Sequence, residues 1–150
     1  MARIRFFSER ISFKPKNQRK LRTWLKSVAA RHGREISDLN YVFCSDSHLV
    51  TLNREYLSHK SFTDIISFDL TEGDGISGEI YISIPRVREN AIKFGCSFEQ
   101  EFIRVLVHGL LHFLRFKDKT PGEKGTVRRE EEACISLWNS SFHVKPDRTY

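Results

Sequence analysis

No apolar run in this chain approaches the roughly 18 residues that a membrane-crossing helix needs, so no membrane span is expected. The opening stretch, Met1 to Phe7, lacks the long apolar core of a signal peptide. Cysteine is scarce. Cys44, Cys96 and Cys134 are odd in number, widely spaced and without a C-x-x-C pair. That argues against a disulfide framework and reads as reduced, mostly packed thiols in a cytoplasmic protein. The glycines Gly73, Gly75 and Gly78 are too irregular for a phosphate-binding loop, and no nucleophile-elbow glycines surround Ser67. There is no internal repeat, low-complexity tract or linker, so residues 1–150 are expected to form one domain. An apolar content of 39% with twelve Phe is enough for a real core.

What the chain does have is a strongly apolar stretch from Phe98 to Phe116, interrupted by His108 and His112. Phe102, Val105, Leu106, Leu110, Phe113 and Leu114 lie round most of a helix, the pattern of a buried rod. Two histidines four apart sit one above the other on one face, so their ring nitrogens can converge on one ion. After His112 the spacing lets the helix end, turn and bring Asp118 back to the same point. Two imidazoles and a carboxylate suit zinc and leave a fourth position open, which is a catalytic rather than a structural pattern. Glu123 is the fallback ligand. The bland alternative is a hydrogen-bonded histidine pair with no ion. The residue after His108 is Gly109, so the general base of an H-E-x-x-H zinc protease is missing.

Other segments then fall into place around these residues. His108-Gly109-Leu110-Leu111-His112, Leu52-Asn53-Arg54-Glu55-Tyr56, Thr63-Asp64-Ile65-Ile66-Ser67-Phe68 and Gly78-Glu79-Ile80 occur in the order and at the intervals of the YbeY-type endoribonucleases. The resemblance covers about Leu39 to Asp118, and four motifs in order are far more specific than one. It implies a metal-dependent, single-strand-specific endoribonuclease of the cytoplasm. Its expected work is rRNA maturation at the 3′ end of 16S rRNA and ribosome quality control. Its expected partners are precursor rRNA and the ribosomal subunit or its proteins. It also implies one Zn²⁺ held by His108, His112 and Asp118, an ion that would polarise a phosphoryl oxygen or acidify a bound water.

Three positions depart from the family pattern. The third metal-binding histidine is replaced by Asp118, a tolerable exchange of ligand. A turn glycine is replaced by Arg115, at a cost of about 1 kcal/mol if its φ is positive. The family arginine after the tyrosine is replaced by Leu57, and Arg115 is the candidate to supply the missing catalytic cation. Two other classes stay open. One is an RNA- or ribosome-binding assembly factor with little catalysis, favoured by Leu57. The other is a different metal-dependent hydrolase or non-haem iron enzyme.

Charge is uneven. Residues 1–34 hold eleven Lys/Arg against one acid, whereas residues 35–150 hold fourteen against eighteen. Such a basic third suits a polyanion, with a solvated helix face as the plainer reading. Leu21, Trp24, Leu25 and Val28 mark a helix whose opposite face carries Arg19, Arg22 and Lys26, the candidate RNA contacts. Asn17 is its expected N-cap and Gly33 its stop.

Along the chain, Ile4 to Phe7 and Ile11 to Phe13 read as short strands, and Leu39 to Cys44 as another. Asp46 caps a helix from Ser47, with Leu49, Leu52 and Tyr56 inward; His48 reads as a helix-start or surface residue, and His59 beside Lys60 as an unaimed loop residue. Thr63 to Leu70 and Glu79 to Ser83 form a hairpin, in which Asp64 is expected to shape a loop. Pro85 opens a helix ending near Gly95, and Ser97 to Gln100 is a capping box for the histidine helix. Glu101 serves that helix end or an imidazole N–H. Thr126 caps a last helix with Val127, Cys134, Trp138 and Phe142 on one side, Glu130 to Glu132 in its first turn, and a frayed tail from Val144. The expected fold is α+β: a small mixed sheet of about four strands packed with helices, the metal-binding helix buried at its centre.

Overall fold

The computed structural model describes residues 2–56 and 64–148, in backbone alone for 56 and 141–148. Leu57, His59, Lys60 and Thr63 lie outside the described residues, as do the side chains of Tyr56 and Phe142. The elements follow the expected order: β1 (Arg3–Glu9), α1 (Gln18–Arg31), β2 (Glu35–Cys44), α2 (Asp46–Tyr56), β3 (Ile65–Asp69), β4 (Gly75–Ser83), α3 (Ile84–Phe94), α4 (Phe98–Phe113) and α5 (Pro121–Arg148). The fold is α+β. Among the described residues four strands form one mixed sheet in the order β1-β2-β4-β3, with β3 antiparallel to β4 and the other pairs parallel.

The two faces of the sheet are covered unequally. On one, Ile4, Ile36, Leu39, Tyr41, Phe43, Ile76, Ile80 and Ile82 pack against α1 and α4, with α5 joining through Val127, Cys134 and Trp138. On the other, Cys44 and Ile66 meet Leu49 and Leu52 of α2. Strict alternation would put Ile36 and Leu39 on opposite faces. The pairing of β2 with β4 shifts between Ile36 and Asp38. The extra residue, Ser37, restores both to the same core, as a β-bulge does. Gly75 faces this bulge, and a Cβ there would lie 1.8 Å from Ser37 Oγ.

Helix ends follow local chemistry, with some corrections. Gly33 and Gly95 take positive φ just past α1 and α3, where only glycine is unstrained. Ser83 caps α3 by accepting from Arg86 N, with Pro85 in the first turn. Asn17 stands at the N-cap of α1 in a left-handed conformation, and its side chain makes no cap hydrogen bond. At α2, Ser45 Oγ accepts from His48 N at 3.2 Å, so the cap lies one residue before Asp46. Asp46 is instead engaged by Arg86 Nη2 at 2.9 Å and by Ser83 Oγ at 3.2 Å. Ile11 to Phe13 is not a strand; Phe13 packs edge-on against Phe43, Phe98 and Phe102. The last helix begins at Pro121, five residues before Thr126, and its backbone stays helical past Val144.

Candidate metal centre

α4 is helical for reasons visible in its sequence. Ser97 and Gln100 form a reciprocal capping box, and Glu99 and Glu101 stand in its first turn, where carboxylates meet the positive end of the helix dipole. From Glu101 to Leu114 every residue is buried except Arg104, His108 and His112. Those three are spaced four apart and make one partly open stripe on an otherwise enclosed rod. Gly109 lies between the histidines against the sheet. A Cβ there would stand 2.8 Å from Ile65 Cδ1 and 3.0 Å from Ile80 Cγ2, so glycine lets the helix settle close to β3 and β4.

The exit of α4 is a tight, hydrogen-bonded reversal. Phe116 N donates to Leu111 O at 3.0 Å and Arg115 N to His112 O at 3.2 Å, the two bonds of a Schellman motif. Arg115 holds the left-handed position with φ 74°. Phe116 packs edge-on against His32, ring centroids 5.2 Å apart. Four residues after Phe116 a second anchor follows. Thr120 Oγ1 accepts from Glu123 N at 3.1 Å, and Glu123 Oε1 accepts from Thr120 N at 3.0 Å and Lys119 N at 3.1 Å. This is the capping box of α5. Asp118 stands between the two anchors.

The result is convergence. Asp118 Oδ2 lies 3.5 Å from His108 Nε2 and 3.5 Å from His112 Nε2. One ligand atom from each residue falls within 4.8 Å of the other two, and the two imidazole rings are 4.6 Å apart. A separation of 3.5 Å is longer than the roughly 2.7–3.2 Å of an N–H···O bond. It matches the ~3.4 Å between neighbouring ligand atoms around a tetrahedral ion with bonds of ~2.1 Å. The donor set fits zinc, since two imidazoles and a carboxylate are borderline ligands of the kind it accepts. Asp118 is 42% exposed and the imidazoles 24% and 30%, so the site opens to one side.

A cavity of about 270 Å³ adjoins His108 and Asp118. Asp64, Glu101, Glu131, Arg104, Lys124 and Arg128 supply its polar lining. Burial pushes the carboxyls of Asp64 and Glu101 above the ordinary carboxylate range. Burial would lower His108, but its contact with Glu131 more than reverses this and raises it. His112 is lowered by burial and by the adjacent His108, which favours the neutral ring a metal requires.

The sequence model described as Endoribonuclease YbeY matches residues 3–139. The chain belongs to the YbeY endoribonuclease family. A Christiangramia forsetii protein named Endoribonuclease YbeY is 45% identical over 142 residues, covering 95% of this chain and 96% of its own. One of the same name from Cytophaga hutchinsonii is 44% identical over 89% of this chain and 94% of its own. Among solved structures, the solution structure of Thermotoga maritima TM1509 is similar with TM-score 0.60 at 26% identity, covering 93% of each chain.

For this YbeY-family chain the structure brings His108, His112 and Asp118 together and leaves other candidates elsewhere. Glu123, the fallback ligand, faces backbone N–H groups at the start of α5. Arg115 is exposed and does not line the cavity. Arg19 and Lys26 are exposed on α1, whereas Arg22 is half-buried, its Nε donating to Ile4 O at 2.8 Å and its guanidinium over Phe6. His48 pairs with Glu9. Asp64, expected to shape a loop, bounds the cavity; its backbone carbonyl accepts from Ser83 N at 3.0 Å.

Sequence reasoning missed Glu131. The run Glu130 to Glu132 is not a first turn, because α5 begins earlier. Glu130 faces α1, meeting Arg31 at 3.2 Å and His32 at 2.9 Å. Glu131 faces α4 and contacts His108 Nδ1. A signal existed. Val127, Glu131, Cys134 and Trp138 share one helical stripe, and a carboxylate in an apolar stripe needs a partner.

Proposed function

We propose that this chain is a metal-dependent endoribonuclease that cuts single-stranded regions of ribosomal RNA precursors, at the 3′ end of 16S rRNA, in contact with the ribosomal subunit. The observation that carries the reading is the convergence of His108, His112 and Asp118 beside an open cavity. Membership of the YbeY family supports the substrate class. The three residues would hold one Zn²⁺, which when bound supplies a Lewis acid for phosphoryl chemistry. Exposed Lys124 and Arg128 on the cavity wall offer cations to the RNA backbone, and Asp64 and Glu101, whose carboxyls burial raises above the ordinary range, stand in the same wall. Arg19 and Lys26, with Arg22 beside them, extend the cationic surface for RNA along α1. Arg115 remains the proposed substitute for the family arginine. Residues 1–150 act as one domain, supported by a core that runs from Ile4 to Trp138. Free Cys44, Cys96 and Cys134 support a cytoplasmic setting.

The test is cleavage of a single-stranded rRNA fragment by protein loaded with Zn²⁺ and by protein stripped with chelator. Cleavage by the loaded protein alone, abolished in His112→Ala, is expected. Equal cleavage by stripped protein overturns the metal mechanism, and binding without cleavage in both states returns the assembly-factor reading. Metal analysis of protein purified without added metal separates zinc from iron.

A further inference from the structure

An imidazole binds a metal through a nitrogen lone pair, so its proton must reside on the other nitrogen. Both Nε2 atoms of the candidate site face Asp118. For His108 the proton therefore belongs on Nδ1, and a neutral imidazole adopts that tautomer reliably only where an acceptor holds it. The helix that supplies the acceptor is α5. Glu131 Oε2 contacts His108 Nδ1, and the Glu131 side chain is only 8% exposed.

A buried carboxylate is costly unless its second oxygen is also engaged. Here Arg104 Nη1 lies 3.2 Å from Glu131 Oε1, and Arg104 Nε lies 3.8 Å from Glu101 Oε1. The chain Glu101–Arg104–Glu131–His108 thus joins two helices by charge and hydrogen bonding. Arg104 sits one turn before His108 on the same open stripe, so one α5 carboxylate spans two consecutive stripe positions of α4. The register of α5 is set independently. Trp24 Nε1 donates to Cys134 O at 2.8 Å, Trp24 and Trp138 meet edge to face at 5.3 Å, and Glu130 meets Arg31. None of those contacts involves the metal residues, so Glu131 is delivered to His108 by the packing of α5 on α1.

We propose that Glu131 is a positioning residue. It holds His108 in the Nδ1–H tautomer with the ring aimed at Asp118 and His112, and it thereby sets the affinity of the site for a divalent ion. The proposal rests on the metal reading above, but its first consequence concerns the metal-free protein. Partners of this kind are worth about 10- to 100-fold in metal affinity where they have been removed.

The experiment compares wild type, Glu131→Gln and Glu131→Ala. Nitrogen-15 NMR of the imidazoles in metal-free protein, at a pH where the rings are neutral, reports the tautomer of His108. Calorimetry with Zn²⁺ reports affinity, and circular dichroism with amide exchange verifies the fold. Wild type should show His108 protonated at Nδ1. Glu131→Ala should populate both tautomers and lose about 10- to 100-fold in Zn²⁺ affinity. Glu131→Gln, which keeps an oxygen acceptor and the side-chain volume, should retain the tautomer and lose less affinity. If Glu131→Ala does not fold, the wild-type tautomer carries the test. A wild-type ring protonated at Nε2, or Glu131→Ala with unchanged tautomer and unchanged affinity, overturns the proposal. Wild type that shows the Nδ1–H tautomer yet binds no Zn²⁺ overturns the metal reading and the affinity half of the proposal, leaving the tautomer half standing.

Discussion

Arg115 is the residue at which local strain and function can be separated. Its φ of 74° places it in the left-handed region at the end of α4, a conformation that costs a residue with a Cβ about 1 kcal/mol relative to glycine. The strain is tolerated because the Schellman bonds and the packing of Phe116 over-determine the turn. Arg115→Gly should therefore raise the unfolding free energy by about 1 kcal/mol, seen as a Tm increase of a few degrees. The same variant interrogates the guanidinium. Cleavage that survives in the stabilised protein excludes Arg115 as the substitute cation, and cleavage lost with intact metal content supports it. Gly109 is the opposite case: its φ is ordinary, and contact with Ile65 and Ile80 is what demands a missing Cβ.

At the scale of elements, the site depends on one reversal between two helices. Asp118 belongs to neither α4 nor α5; the C-terminal motif of one and the N-terminal box of the other hold it. Weakening either anchor should loosen Asp118, the proposed third ligand, without touching any of the three converging side chains. Thr120→Ala removes the hydroxyl that accepts from Glu123 N and should cost about 1 kcal/mol of stability. Its diagnostic effect is weaker Zn²⁺ binding in calorimetry, with the His108 and His112 NMR signals of metal-free protein unmoved. Unchanged affinity would mean that the Schellman turn alone fixes Asp118.

Across the whole molecule, α5 is the element that ties the basic N-terminal region to the site. Arg31 and His32 at the end of α1 grip Glu130, while the neighbouring Glu131 grips His108. Burial alone would raise the pKa of Glu130, but His32 and Arg31 outweigh it and hold this carboxyl below its usual range. A depressed carboxyl contributes stability above its unfolded pKa of about 4.3, and the contribution disappears as pH falls through the folded value. Glu130→Gln should therefore be less stable than wild type above about pH 5, and the two denaturation midpoints should converge on further acidification. A gap that persists unchanged at acid pH would show that the Arg31 and His32 contacts carry no net charge effect.

The order of elements, the sheet of four strands, the buried histidine helix and its capping box were legible in the sequence because each rests on local patterning: periodicity, cap residues, turn glycines. The convergence of His108, His112 and Asp118 was legible too, since a four-residue spacing on a helix and a short exit are local geometry. Ser37 as a bulge was not, because it exists only relative to β4. The start of α5 was misplaced because Pro121 and Gly122 read as a loop until Thr120 and Glu123 are seen to bond each other. Glu131 was not assigned to His108 because the two are 23 residues apart, and only the packing of α5 on α1 and α4 aims one at the other. The sequence by itself determined which side chains could bind an ion; tertiary structure decided which carboxylate orients an imidazole, because that depends on the relative placement of helices, a property no single helix carries.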